Sequence, residues 1–135
     1  MTNFPKEIDI NKDNSLNFGN YETKHKIKVN DFKHAGDTYN LRSHNLVTRL
    51  EKNGEMVMEV VPGAYIANFA LSGDTVVFEI AGEQSAQITL GLTPETAYKI
   101  SIAGGEVSEV ACNISGKLTF GVELTAQPKK IEIKA

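Results

Sequence analysis

Apolar residues recur at every second position through most of the chain. Val76, Phe78 and Ile80 fall on one face of an extended segment, with Val77 and Glu79 on the other. Ile88, Leu90 and Leu92 repeat the pattern, as do Tyr98, Ile100 and Ile102, then Leu118, Phe120, Val122 and Leu124, and finally Ile131 and Ile133. A half-buried β-strand has this period of two, whereas an amphipathic helix needs apolar residues at steps of three and four over ten or more positions. No segment longer than one or two turns meets the helical pattern.

Turn residues separate the runs. Asn53-Gly54 lies between Leu46–Lys52 and Glu55–Val61, and Asn-Gly tolerates the positive φ that a type I′ hairpin demands at both central positions. Gly104-Gly105 is placed to join its two flanking runs in the same way. Ser72-Gly73-Asp74, Gly82 and Ser115-Gly116 punctuate the rest, Gly19, Gly36 and Gly54 each mark a turn, and Pro62-Gly63 ends a strand because proline removes a ladder donor. The expected strands are Glu22–Val29, Thr38–Ser43, Leu46–Lys52, Glu55–Val61, Tyr65–Leu71, Thr75–Ala81, Ala86–Leu92, Ala97–Ala103, Glu106–Asn113, Lys117–Leu124 and Lys129–Lys134. So many strands in one domain must curl or split into two packed sheets. The expected fold is therefore all-β: a two-sheet antiparallel β-sandwich of about 9–11 strands, with under about one-tenth of its residues helical.

Composition sharpens this picture. The 135 residues are 41% hydrophobic and 23% charged. A chain of that size forms one domain and buries roughly two-thirds of its unfolded surface without a disulfide or metal staple. Residues 1–135 are read as a single β-sandwich domain whose first 20 residues, polar and rich in Asn, form either an ordered arm or a loose tail. The net charge of -3, from 14 basic and 17 acidic residues mixed along the chain, argues against nucleic acid as a partner. Lys24 to Lys33, with four lysines and His25, is the one basic run. Lys24, Lys26 and Lys28 alternate as if along one strand, which suits edge protection or a solvated face. Cys112 is the single cysteine, so no intrachain disulfide can form. No apolar leader follows Phe4 and Pro5, and no stretch approaches the roughly 20 apolar residues of a membrane helix. The expectation is a soluble, cytoplasmic protein that does not contact membrane.

Leu92-Thr-Pro94-Glu-Thr96-Ala-Tyr98-Lys-Ile100-Ser-Ile102 resembles the corner of fibronectin type III and related sandwiches, where a Leu-x-Pro-x-Thr-x-Tyr run leads into a strand. The resemblance makes Leu92, Pro94 and Tyr98 a structural corner. It implies that the Tyr98 ring is buried and its hydroxyl bonds upstream backbone near Pro94 or before it, where its loss would strand an acceptor. A wider pattern runs from Tyr98-x-Ile100-x-Ile102 through Gly116-Lys-Leu118-x-Phe120-x-Val122 to Ile131-x-Ile133. It looks like the end of many bacterial β-sandwich modules, which often accompany glycan-active enzymes. Phe18-Gly19-Asn20-Tyr21, Leu50-Glu51-x-Asn53-Gly54, Val61-Pro62-Gly63, Asn68-Phe69, Val76-x-Phe78, Gln87-Ile88-Thr89-Leu90 and Gly116-Lys117-Leu118 together are similar to a group of small single-domain bacterial β proteins. Some members of that group carry an endosialidase label. A sialidase needs an arginine cluster for the carboxylate and a tyrosine nucleophile assisted by an acid, and the only arginines here are Arg42 and Arg49. The resemblance implies the fold and a stand-alone domain rather than that activity.

Candidate chemistry is thin. Asp9, Asn11 and Asp13 supply oxygen ligands at the first, third and fifth places of a calcium loop. However, Asn14 stands where that loop has its turn glycine, and Asn20 where it has its bidentate Glu. A polar loop closed by Asx turns fits the same residues. His25, His34 and His44 have no metal-ligand spacing, and a zinc site needs four close ligands. Cys112 alternates with Val110 and Ile114 and reads as a core residue, since no histidine signature surrounds it. Glu79, Glu83, Glu95, Glu106 and Glu109 would need two of their number held across a cleft to act as glycosidase carboxylates. Tyr21, Tyr39 and Tyr65 are the candidate platform residues for a sugar, in a chain without tryptophan. Phe69, Phe78 and Phe120 read as packing.

These residues predict no cofactor and no catalytic centre. They favour a non-enzymatic binding or structural module that self-assembles or docks a protein partner. A carbohydrate-binding module is the alternative, and a glycan hydrolase comes third.

Overall fold

The computed structural model describes residues 8–73, 75–103, 105 and 107–135. The first seven residues, Asp74, Gly104 and Glu106 lie outside them, and with them part of the expected Gly104-Gly105 turn and the Glu106 carboxylate. The described residues form thirteen strands and no helix. The strands are β1 (Asp9–Ile10), β2 (Leu16–Phe18), β3 (Ile27–His34), β4 (Asp37–Ser43), β5 (Thr48–Lys52), β6 (Glu55–Val61), β7 (Tyr65–Ser72), β8 (Thr75–Ala81), β9 (Ala86–Gly91), β10 (Ala97–Ile102), β11 (Val107–Ala111), β12 (Lys117–Val122) and β13 (Lys129–Lys134). No described helix is long and apolar enough to cross a membrane.

Two antiparallel sheets make a β-sandwich. One has seven strands in the order β1-β2-β7-β8-β13-β10-β11, the other six in the order β12-β9-β6-β5-β4-β3. The inward residues of both sheets share one apolar core. Phe78, Ile80, Ile100, Ile131 and Ile133 face Leu41, Leu50, Met58, Ile88 and Leu118, all essentially inaccessible. Phe18, Phe69 and Phe78 form an aromatic chain within it, the first pair edge-on at 5.8 Å between ring centres. Phe120 packs against the core from the β12 edge and stays partly exposed.

Two strands beyond the expected eleven come from the N-terminal arm. β1 and β2 form a hairpin that adds to β7, so from Ile8 onward the arm belongs to the seven-stranded sheet. Glu22–Val29 is displaced: β3 begins at Ile27 and runs to His34. The preceding residues cross from one sheet to the other in side-chain-closed turns, Asn20 Oδ1 accepting from Glu22 N and Thr23 Oγ1 from His25 N. Lys24 and Lys26 therefore precede the strand, and Lys28 alone of the three lies in it.

Turn chemistry fixes the hairpin between β5 and β6. Asn53 and Gly54 both have positive φ, 52° and 84°, and the Asn53 side chain joins Thr38 N and Asp37 Oδ1. At the opposite end of the molecule, Gly19 (φ 94°) passes against the crossing between β6 and β7, where an added Cβ would stand 2.3 Å from Ala64 O. Glycine is required there by both conformation and space.

Leu92 to Thr96 carries the chain from β9 in one sheet to β10 in the other. Tyr98, just beyond, is fully buried, and its hydroxyl accepts a hydrogen bond from Thr93 N–H at 3.1 Å. In this bond the backbone amide is the donor and the hydroxyl the acceptor. The neighbouring crossing from β11 to β12 is stitched to it by Leu92 N to Gly116 O, Glu95 N to Asn113 O and Cys112 N to Thr96 O.

Candidate functional site

The N-terminal loop uses its polar atoms on itself. Asp13 Oδ1 accepts from both Ser15 N (3.0 Å) and Ser15 Oγ (2.6 Å). These two bonds hold the Asp13 carboxyl below its ordinary range. Asn11 Nδ2 is shared among Ser15 Oγ, Asn17 Oδ1 and Asn68 Oδ1, while Asn11 Oδ1 accepts from Asn17 Nδ2. Asp9 lies on β1, in register with Asn17. A calcium ion would have to displace these bonds. Isothermal titration with calcium is expected to show no dissociation constant at or below about the micromolar range of calcium sensors. A micromolar constant abolished by Asp9→Ala would overturn this.

The remaining candidates are dispersed. Among the described residues no group of three His, Cys, Asp or Glu side chains converges as a metal site. His25 is exposed in the crossing before β3, and His34 donates to Asn14 O at 2.9 Å and leans on the Tyr39 ring. His44 ends the β4 side of the β4–β5 turn. Cys112 is buried, but in the crossing after β11 rather than by strand alternation, and Ile114 is 81% exposed. The cause is Asn113, whose side-chain oxygen caps Ser115 N and Lys117 N and turns the chain. Of the candidate glutamates, Glu79 lines a cleft beside Asp13 and Asn68. Glu83, Glu95 and Glu109 are exposed on separate elements.

The three tyrosines make no platform. Tyr21 (6% exposed) and Tyr39 (8%) are core residues, so neither ring can be offered flat to a sugar. Burial raises the Tyr39 hydroxyl above its ordinary pKa. Tyr65 is half-buried at the start of β7, its hydroxyl raised by burial and by the charges of Asp9 and Glu79. Their positions on a crossing, β4 and β7 separate them.

Two surfaces that local patterns do not reveal stand out. The first is the edge of β12, which pairs with β9 on one side and with no strand on the other among the described residues. Its register with β9 is unbroken from Lys117–Gly91 to Val122–Ala86. Leu92 N donates to Gly116 O in that same register, so alternation makes Leu118 and Phe120 the residues that exchange bonds with β9. Thr119 and Gly121 consequently turn their backbone groups outward. Between Lys117 and Glu123 the edge carries no charge, proline or bulge. An open groove of about 760 Å³ runs along it, bordered by Val61, Ala86, Phe120 and Val122. The other edge of that sheet, β3, is guarded by Lys28, Lys33 and a bulge at Asp31 (φ 56°).

The second surface is on the outer face of the six-stranded sheet. Register places Lys28 opposite Arg42, Arg42 opposite Arg49 and Arg49 opposite Glu59. The same row continues through Thr89 to Thr119. The chain's two arginines, seven positions apart in sequence, are thus cross-strand neighbours. No family model, curated protein or solved structure matches this chain, so these two surfaces carry the reading of what it does.

Proposed function

We propose that the chain is a non-enzymatic structural module that assembles with a second copy of itself by pairing the free edge of β12. One observation carries the reading: β12 is an edge of unbroken register, uncharged from Leu118 to Val122, with opposite charges at its two ends, Lys117 and Glu123. An unguarded edge of this kind is a template for another strand. If two β12 strands pair antiparallel about Phe120, Thr119 of each lies opposite Gly121 of the other, which joins the outward backbone groups. The same register sets Lys117 against Glu123 at both ends. Neither side chain has an ion-pair partner within its own chain among the described residues. The groove beside Phe120 then closes, and the six-stranded sheet continues across the two-fold axis. A protein partner offering an extended strand would use the same edge.

Sedimentation equilibrium is the test. The expected species has twice the 14.7 kDa chain mass. Lys117→Glu sets like charges at both ends of the pairing and is expected to weaken the dimer about tenfold. Adding Glu123→Lys to the same chain restores the complementarity and the affinity. A monomer at the highest attainable concentration, or a double variant no better than Lys117→Glu, would sink the reading.

A further inference from the structure

The row Lys28–Arg42–Arg49 has no place in that assembly, since it lies toward the opposite edge of the sheet from β12. Neighbouring strands are about 4.8 Å apart, so the three cations fall within roughly 10 Å along one line. Lys26 and His44 border the same open cleft, which measures about 310 Å³. Like charges directly opposite one another destabilise a sheet, so such a row needs compensation. Arg49 has it, bonding Glu59 at 3.0 Å and Glu51 at 3.3 Å. Arg42 does not: its Nη1 donates to Asn30 Oδ1 at 3.2 Å and to Leu41 O at 3.1 Å, both uncharged. Among the described residues no carboxylate lies within ion-pair distance of Arg42, Lys26 or Lys28. A chain of net charge -3 has gathered both its arginines and two lysines here, with carboxylates bonded to Arg49 alone of the four among the described residues.

We propose that this row binds an acidic polysaccharide through its carboxylate or sulfate groups. The planar guanidinium fork suits an oxyanion with two accepting oxygens, and the ammonium groups beside it supply charge without further geometry. Beyond Glu59, the row continues as the hydroxyls of Thr89 and Thr119, which bond each other at 3.2 Å. That gives an extended ligand a polar track across the strands. Other polyanions fit less well. A protein interface gains most of its energy from a buried apolar or aromatic centre, and here Val47 is the one apolar residue bordering the cleft. Single-stranded nucleic acid calls for aromatic stacking platforms and a longer basic track, and Glu59 interrupts this one. A neutral sugar would find no Trp, Tyr or Phe ring to stack on among the residues bordering the cleft.

Isothermal titration at low salt tests the site with five probes matched in length. They are a heparin oligosaccharide, an oligogalacturonate, a malto-oligosaccharide, an oligoglutamate and an oligothymidylate. At least one of the two acidic glycans binds, and which one distinguishes sulfate from carboxylate recognition. The malto-oligosaccharide does not bind, and added salt weakens the complex. Arg42→Gln weakens it about tenfold while leaving the sedimenting mass unchanged, and Lys99→Gln, the same charge loss on the other sheet, has no effect. Lys28→Gln repeats the test should Arg42→Gln fail to fold. The proposal is overturned if neither acidic glycan binds. It is equally overturned if oligoglutamate or oligothymidylate binds as tightly, or if Lys99→Gln does the same damage as Arg42→Gln.

Discussion

Replacing Thr48 with valine is expected to lower the stability of the fold by about 3 kcal/mol, although the two side chains have nearly the same shape. Thr48 is fully buried at the start of β5. Its hydroxyl donates to Ala64 O at 3.1 Å, accepts from Ala64 N at 3.2 Å and meets Ser43 Oγ at 2.9 Å. A hydroxyl has one proton and two lone pairs, so all three bonds can be made at once when Ser43 is the donor in its pair. Ser43 Oγ is then free to accept from Asn20 N, as it does at 2.9 Å. Two bonded oxygens, Thr48 Oγ1 and Ser43 Oγ, thus tie β4 and β5 to both crossings at that end of the sandwich. Valine would leave the Ala64 amide, the Ala64 carbonyl and the Ser43 hydroxyl unpaired in an apolar site, at about 1–3 kcal/mol each before relaxation. Thr89→Val is the control. Its hydroxyl bonds Thr119 on the exposed face, and its loss should stay within about 0.5 kcal/mol. Urea melts give both values, and a loss below about 1 kcal/mol for Thr48→Val would mean that the Ala64 groups find other partners.

The strands that period-two alternation marks are those whose one face is sealed against the core. Val76, Phe78 and Ile80 announce β8 because each is buried while Val77 and Glu79 stay partly open. The Asn53-Gly54 turn was equally legible, since its positive φ values follow from the two residue types alone. What local pattern cannot carry is contact set by distant residues. β1 and β2 are too short to show a period. They are held to β7 through polar bonds such as Asn17 Oδ1 accepting from Asn68 N, with 51 residues between them. At Lys24 and Lys26 the alternation misleads for the converse reason: charged residues alternate in an exposed stretch of a crossing, and the turns at Asn20 and Thr23 decide its path. Tyr21 and Tyr39 look like surface candidates only while the sheets that cover them are unknown.

The two surfaces differ in how far sequence could have found them. Lys28, Arg42 and Arg49 are scattered along the chain, and their alignment depends on the register of two hairpins, one of which carries a bulge. Counting cations along the chain gave weight to the run from Lys24 to Lys33 and missed the row that crosses strands. The β12 edge depends on strand order. Its alternation was visible from Leu118 to Leu124, but only the topology leaves one side of it unpaired.

Removing the Tyr98 hydroxyl alone, as Tyr98→Phe, is expected to cost about 1–2 kcal/mol. The ring is fully buried against the core and remains so in phenylalanine, so the change isolates the polar atom. That atom accepts from Thr93 N–H at 3.1 Å, within the segment that carries the chain from β9 to β10 in the opposite sheet. The bond fixes where the crossing leaves one sheet relative to where it enters the other. Thr93 itself is exposed, so water can reach its N–H, which keeps the expected loss below that at a fully buried site. Tyr39→Phe is the comparison. Its ring is also in the core, yet no buried side-chain atom in the described structure lacks a partner and no protein partner is seen for this hydroxyl, so the group meets water. Its loss should stay within about 0.5 kcal/mol. Urea unfolding of both variants beside the parent protein, compared at unchanged denaturant slope, separates the two effects. If Tyr98→Phe and Tyr39→Phe prove equally mild, the hydroxyl does not pin the crossing, and the stitched backbone of residues 112–116 must hold the two sheets together at that end.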